Sequence, residues 1–205
     1  MRAYKGFTQQ LISRMGNGDM KTCRFVPGET KEVEKSKTGD YGFHCCENPF
    51  ECLTYYAFDG QNRFWAVEAA GSIDEDDIER ISCTKITLIE ELTPLKFALE
   101  GMKYMITHPA REKWEQKHDS VGVCRDRADA YGKNHIAIAR GETPVVSGVE
   151  GSILGLIAET EGMITAAKLF VVSLEQTGRK YTLSLDGALK EVNDEKEADR
   201  ASHTA

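Results

Sequence analysis

Regularly spaced glycines in the second half of the chain are the strongest constraint on its fold. They separate short apolar runs over residues 135–139, 144–149, 152–158, 166–174 and 181–185. Runs of this length, bounded by glycine and about ten residues apart, are typical of β-strands joined by tight turns. We therefore predict a glycine-punctuated β unit over residues 131–192. Either an antiparallel meander or a short solenoid-like stack fits, and we favour the meander because repeat arrays need about three similar units.

Helix signals lie in the first 130 residues. The pairs Asn48-Pro49 and Thr93-Pro94 each predict a helix start, because the first side chain accepts a hydrogen bond from a free N–H and proline fits the first turn. Apolar residues at helical spacing follow the second pair. Pro109 predicts the start of a further, more charged helix.

Strand signals accompany these helices. Residues 63–69 alternate in polarity, and residues 81–88 are rich in β-branched side chains. The fold class is therefore α+β. We expect a mixed unit over residues 1–130 with a small sheet and two to four helices, then the β unit over 131–192, and a charged, mobile tail over 193–205.

Charge and composition exclude several classes of function. The chain has 26 basic and 33 acidic residues, a formal net charge of −7. Direct binding to nucleic acid is disfavoured, because such proteins present basic surfaces. We find no apolar run near the roughly 18 residues of a membrane span and no signal-peptide core, so we expect a cytoplasmic protein without membrane contact. The six cysteines are interpreted as free thiols.

A cysteine cluster invites a metal or nucleophile hypothesis. His44, Cys45, Cys46 and Cys52 are residue types that bind zinc, but they lack a C-x2-C pair. Neighbours on a strand point to opposite faces, so His44 and Cys45 are not expected to form a catalytic dyad. We predict no metal and no cofactor.

Three motifs carry a family resemblance. They are Tyr4-Lys5-Gly6-Phe7, the segment from Gly42 to Pro49, and Tyr55-Tyr56. This pattern, written Y-K-G-F, G-F-H-x-C-x-N-P and Y-Y, resembles a family of uncharacterised phage and prophage proteins. The resemblance covers residues 3–92. Members also have a C-terminal part with glycine- and alanine-rich β repeats, and the resemblance implies an origin in a mobile element.

The same motifs are also similar to the first two strands and helix of the ADP-ribosyltransferase fold. That likeness implies a site for NAD or another nucleotide, with an aromatic side chain beside the ligand and a later carboxylate on the ribose. The residues it assigns are Lys5, His44, Tyr55 and Glu90, with Glu79 and Glu91 as other candidate acids. Catalysis is not the leading hypothesis, because none of these acids lies in a clear motif.

The leading hypothesis is a phage accessory protein that acts in the host cytoplasm. It would bind and inhibit a host protein or nucleoprotein complex with a basic surface, as an anti-CRISPR-like factor does. The predicted partner-binding residues are acidic: Asp74, Glu75, Asp76, Asp77 and Glu79. The alternatives are the NAD- or nucleotide-binding protein and a phage structural protein that forms a homo-oligomer.

Overall fold

The computed structural model describes residues 1–14, 21–75, 80–184 and 186–192. It divides into two compact units, Met1–Tyr104 and Met105–Ala205. This boundary precedes the one expected near residue 131, because residues 121–130 already pair with the sheet of the second unit. The expected tail over residues 193–205 lies outside the described residues.

The described residues of the first unit form seven strands, a 3₁₀ helix and most of an α-helix. The strands are β1 (Arg2–Thr8), β2 (Ile12–Arg14), β3 (Thr22–Arg24), β4 (Thr30–Glu32), β5 (Phe43–Cys46), β6 (Asn62–Glu75) and β7 (Arg80–Glu91). A 3₁₀ helix spans Pro49–Thr54, and helix α1 spans Pro94–Thr107, so that its last residues fall in the second unit. The strands expected over 63–69 and 81–88 lie within β6 and β7.

Four of these strands close into a ring. β1 pairs with β5 and β6, and β7 pairs with the same two strands, all antiparallel. β4 extends the sheet beside β7, while β2 and β3 form a separate hairpin. Alternation along β1 places Ala3, Lys5 and Phe7 on one face, and all three are buried. Ala3 and Phe7 pack in the core with Phe43 and Val67.

The local helix signals give mixed results. Asn48 caps as predicted, since its Oδ1 accepts a hydrogen bond from Phe50 N at 3.0 Å, but the helix that follows is 3₁₀. Helix α1 begins at Pro94 as predicted. The helix expected from Pro109 is wrong: the chain there forms turns and irregular structure. Trp114 instead packs its buried ring against arginine side chains, and proline permits a helix start without enforcing one.

In the second unit, the residues that the structure describes form seven strands. They are β8 (Gln116–His118), β9 (Val121–Ala130), β10 (Ile136–Gly148), β11 (Ile153–Thr160), β12 (Met163–Val171), β13 (Lys180–Leu183) and β14 (Leu189–Val192). A 3₁₀ helix spans Leu174–Gln176. The apolar runs between the glycines therefore fall largely in strands, and the protein is mostly β.

Strands β9, β10 and β11 run parallel, and here the antiparallel meander is wrong. Ile136 pairs with Val121 on one side and with Ile153 on the other. A parallel pair normally needs a long crossover. The ladder between β9 and β10 instead shifts register between Arg140 and Val145, and Asp126 of β9 has a φ of 60°. Such bends let the chain return to the same edge after a short connection. β12, β13 and β14 pair antiparallel.

In the described part of the chain, none of the helices is long and apolar enough to cross a membrane.

Gly101 of α1 provides a test of the packing in the first unit. A Cβ at this position would overlap the ring of Phe50. Glycine-to-alanine changes inside helices usually stabilise by up to about 1 kcal/mol. We expect Gly101→Ala to lower the free energy of unfolding by about 1–3 kcal/mol instead, because the site is already filled. Urea unfolding measures this.

The control for this prediction is Lys103→Ala, on the exposed side of the same helix. It should change the free energy of unfolding by less than about 1 kcal/mol. A Gly101→Ala protein that is more stable than the parent would contradict the close contact between α1 and Phe50.

Candidate functional site

A cavity of about 650 Å³ lies in the first unit. It is bounded by β1, β2, β3, β5, β7, the turn around Gly39, and the 3₁₀ helix with the turn that follows it. The lining residues are Tyr4, Lys5, Gly6, Thr8, Ile12, Ser13, Arg14, Thr22, Gly39, His44, Cys45, Cys46, Cys52, Thr54, Tyr55, Tyr56 and Arg80. Strands far apart in the sequence therefore contribute to one site.

The Lys, Arg, Asp and Glu residues of the described lining are all basic ones. Lys5, Arg14 and Arg80 are basic, and none of the described lining residues is Asp or Glu. The chain as a whole is acidic, with a net charge of −7. A cavity that concentrates basic groups without acids attracts anions, and arginine in particular matches carboxylate and phosphate oxygens.

Lys5 is the most unusual of these side chains because it is buried, at 5% relative exposure. Its Nζ donates a hydrogen bond to the carbonyl oxygen of His44. The rings of Phe7 and Phe25 lie 5.7 and 6.0 Å from Nζ. Among the described residues, no carboxylate forms an ion pair with this amine. Burial lowers the pKa of Lys5, because water no longer solvates the ammonium form.

Buried thiols lie around the lysine, and the pKa of one of them, Cys83, is lowered by its hydrogen bond with Cys45. The Cys45 thiol donates a hydrogen bond to Cys83, and the Cys52 thiol donates one to Cys46. These hydrogen bonds and burial raise the pKa of Cys45 and of Cys52, so both stay protonated. Each of the six cysteines, all within the described residues, is a free thiol.

Two tyrosines form an aromatic wall of the cavity. The ring of Tyr56 lies against Gly6, where a Cβ would overlap it, so the absent side chain of Gly6 admits the ring. The Tyr56 hydroxyl accepts a hydrogen bond from Arg14 N at 3.2 Å, which ties this wall to β2. Tyr55 is 54% exposed, so its ring is accessible from solvent.

Ser13 supplies an unsatisfied polar atom at the cavity. It is 1% exposed, and its Oγ has no hydrogen-bond partner in the described structure. A buried hydroxyl without a partner costs free energy, which the fold must offset elsewhere. Sequence reasoning missed Ser13 because residues 8–21 are polar and predict a loop.

The structure brings together three of the four residues assigned through the transferase likeness. Lys5, His44 and Tyr55 all line the cavity. Glu90 does not, and its carboxylate forms an ion pair with Lys96. Of the other candidate acids, Glu91 binds Arg63, with two contacts of 2.6 Å, and Glu79 lies outside the described residues.

The predicted acidic surface is described only in part. Asp74 accepts hydrogen bonds from Thr38 N at 2.6 Å and from Thr38 Oγ1 at 2.7 Å, which lower the pKa of its carboxyl group. These hydrogen bonds connect the Asp74 carboxylate to the turn around Thr38. Glu75 is exposed. The remaining members, Asp76, Asp77 and Glu79, lie outside the described residues.

The zinc hypothesis for the cysteine cluster gains no support. In the part of the chain that the structure describes, no three His, Cys, Asp or Glu side chains are arranged to hold a metal ion.

His44 predicts a pH dependence of stability. Its Nε2 accepts a hydrogen bond from Gly39 N at 3.0 Å and must be unprotonated to do so. Burial lowers the pKa of His44, because the charged imidazolium is poorly solvated there. This stabilisation is complete above the ordinary histidine pKa of about 6.5 and is lost as the pH falls through the lower pKa of the folded state. We expect the thermal midpoint to drop between about pH 7 and pH 5.

The variant His44→Gln isolates this effect, since glutamine keeps a neutral acceptor that does not titrate. Its thermal midpoint should fall less steeply with decreasing pH than that of the parent. His108→Gln, at an exposed histidine, should keep the parent's slope. Equal slopes for His44→Gln and the parent would show that protonation of His44 does not destabilise the folded state.

Comparison with known proteins finds a family match in the first unit. Neither the search of curated proteins nor the search of solved structures found a match. Residues 1–100 match a protein family described as "Domain of unknown function (DUF7666)". The matched segment nearly coincides with the unit Met1–Tyr104 that contains the cavity. A domain of unknown function thus covers the part of the chain that forms the candidate site.

Proposed function

We propose that the first unit binds a small anionic ligand that carries an aromatic ring, a nucleotide or a dinucleotide such as NAD. One observation carries this proposal: Lys5, Arg14 and Arg80 line a cavity without a described acid, in a chain of net charge −7. The volume of about 650 Å³ falls within the range of roughly 300–1,000 Å³ that is usual for small-molecule sites.

Each part of a nucleotide finds a counterpart in this lining. Arg14 and Arg80 would hold phosphate oxygens, since the guanidinium fork matches them geometrically. Tyr55 and Tyr56 provide rings against which a base would stack.

Binding is favoured over ADP-ribosyl transfer. Transfer would need a carboxylate beside the ribose. Glu90 and Glu91 are instead held by Lys96 and Arg63, away from the lining. The proposal therefore keeps the nucleotide site and leaves out the group transfer.

The two arginines test the proposal. Calorimetric titration with NAD and with ADP should give binding, and Arg14→Gln and Arg80→Gln should each weaken it by about 10- to 100-fold, since charge-assisted hydrogen bonds contribute about 1.5–3 kcal/mol. Binding should also weaken as salt is added. Arg24→Gln is the control, because this exposed arginine of β3 is not part of the lining. No binding of either nucleotide, or equal losses in all three variants, would refute the proposal.

We further propose that the chain acts as a phage accessory protein in the host cytoplasm, where it binds a host protein or nucleoprotein complex with a basic surface. The net charge of −7 and the exposed carboxylate of Glu75 support this second function. It is compatible with ligand binding, because Glu75 is not among the residues of the cavity.

Charge reversal tests this second function. In a pull-down from infected cells, Glu75→Lys combined with Asp76→Lys and Asp77→Lys should reduce recovery of the partner about tenfold or more, because like charges then meet. Asp74 is left unchanged, since it binds Thr38. Glu175→Lys, at an exposed acid of the second unit, is the control. Undiminished recovery with the triple variant would rule out the acidic surface.

A further inference from the structure

We propose that Lys5 is a nucleophile that forms an imine with an anionic aldehyde or ketone bound in the cavity. This deepens the proposed function, on which it rests for the anionic part of the ligand, by naming a reactive carbonyl group as a second part. A phosphorylated aldehyde, or a sugar phosphate in its open-chain form, belongs to this class.

The first requirement is an uncharged amine. A surface lysine of ordinary pKa is neutral in roughly one molecule per thousand near pH 7. Lys5 is buried at 5% exposure, lacks an ion pair with any described carboxylate, and has protonated thiols of Cys45 and Cys52 as neighbours. Burial favours the neutral form, which is how lysines become nucleophiles in proteins. The cation–π contacts with Phe7 and Phe25 act in the opposite direction but involve distances near 6 Å.

The second requirement is access together with a lone pair. Lys5 lines the cavity although it is only 5% exposed, and we infer that its Nζ lies within reach of a ligand there. The neutral amine has two N–H groups and one lone pair. One N–H is donated to the carbonyl oxygen of His44, and this hydrogen bond does not use the lone pair. The lone pair therefore remains available to a carbonyl carbon, and the hydrogen bond limits the rotation of the amine.

The third requirement is a ligand held in place. Arg14 and Arg80 would bind its anionic group, which raises the local concentration of the carbonyl group at Lys5. Both arginines remain charged at all relevant pH values, so the cavity keeps its affinity for anions while the lysine is neutral.

The reaction needs no other reactant. The lone pair of Nζ forms a bond to the carbonyl carbon, and the carbonyl oxygen leaves as water with the two protons of the amine. The product is a C=N bond between ligand and lysine. Nothing is oxidised or reduced, and addition of water reverses the reaction.

Pyridoxal 5′-phosphate, an anionic aromatic aldehyde, is the probe. The full chain is incubated with it near neutral pH, the imine is reduced with borohydride, and the modified lysines are located by peptide mass spectrometry. We expect modification of Lys5 to exceed that of Lys21, an exposed lysine outside the lining, by several-fold or more, because burial favours the neutral amine that reacts. Modification of Lys5 no greater than that of Lys21 would overturn the proposal.

Two variants complete the test. Lys5→Met should lose the modification at this site, and Lys21→Met should leave the modification of Lys5 unchanged. Because Lys5→Met changes a buried position, its folding is checked by circular dichroism. If it does not fold, the decision rests on the parent, in which excess inorganic pyrophosphate should reduce labelling of Lys5 several-fold and leave Lys21 unaffected. Labelling of Lys5 that pyrophosphate does not reduce would overturn the role of the cavity.

A second probe separates this inference from the proposed function. Glyoxylate is an anionic aldehyde without a ring, whereas ADP has the ring and phosphates but no carbonyl group. If ADP binds and neither aldehyde modifies Lys5, the imine is refuted and nucleotide binding stands. If glyoxylate modifies Lys5 and neither NAD nor ADP binds, the imine stands and the nucleotide proposal is refuted.

Discussion

The burial of one amine inside a closed ring of four strands is the constraint on which the first unit depends. An ammonium group in such a place costs several kcal/mol unless an acid compensates it. The chain places a backbone carbonyl, two aromatic rings and protonated thiols around Lys5, and no described carboxylate. Burial therefore favours the neutral form of Lys5, and the positive charge of the cavity comes from Arg14 and Arg80. This separation of amine and charge underlies both proposals for the site.

Two glycines in the first unit allow aromatic rings to pack directly against the backbone. Gly6 lets the Tyr56 ring lie directly on β1, and Gly101 lets the Phe50 ring lie directly on α1. Phe50 in turn packs edge to face against Phe97, with ring centroids 5.6 Å apart. The 3₁₀ helix is thereby fixed between a strand and a helix, which holds Tyr56 at the cavity. In such close packing, a small increase in side-chain volume displaces the neighbouring groups. A larger residue at either glycine would therefore disturb the cavity without contacting a ligand.

The second unit also buries a basic side chain, but it pairs this side chain with an acid. Arg140 is 3% exposed, and its Nε donates to Glu159 at 2.7 Å while Nη2 donates to the carbonyl oxygen of Pro109 at 2.7 Å. Its guanidinium lies 5.0 Å from the Trp114 ring centroid. Here the charge is kept and paired, as arginine requires because it does not deprotonate. Lys5 of the first unit differs, because a buried amine can lose its proton and then react as a nucleophile.

The sequence by itself determined the features that depend on neighbours along the chain. Asn48 caps the 3₁₀ helix, Pro94 begins α1, and the glycines of residues 132–162 separate strands, because capping, proline geometry and tight turns act over a few residues. Tertiary structure decided the rest. The parallel pairing of β9 to β11 and the grouping of Lys5 with Arg80, but not with Glu90, depend on contacts between distant strands. Alternation along a strand fixes which side chains share a face, but the partner strand that faces them is chosen by closure of the whole sheet.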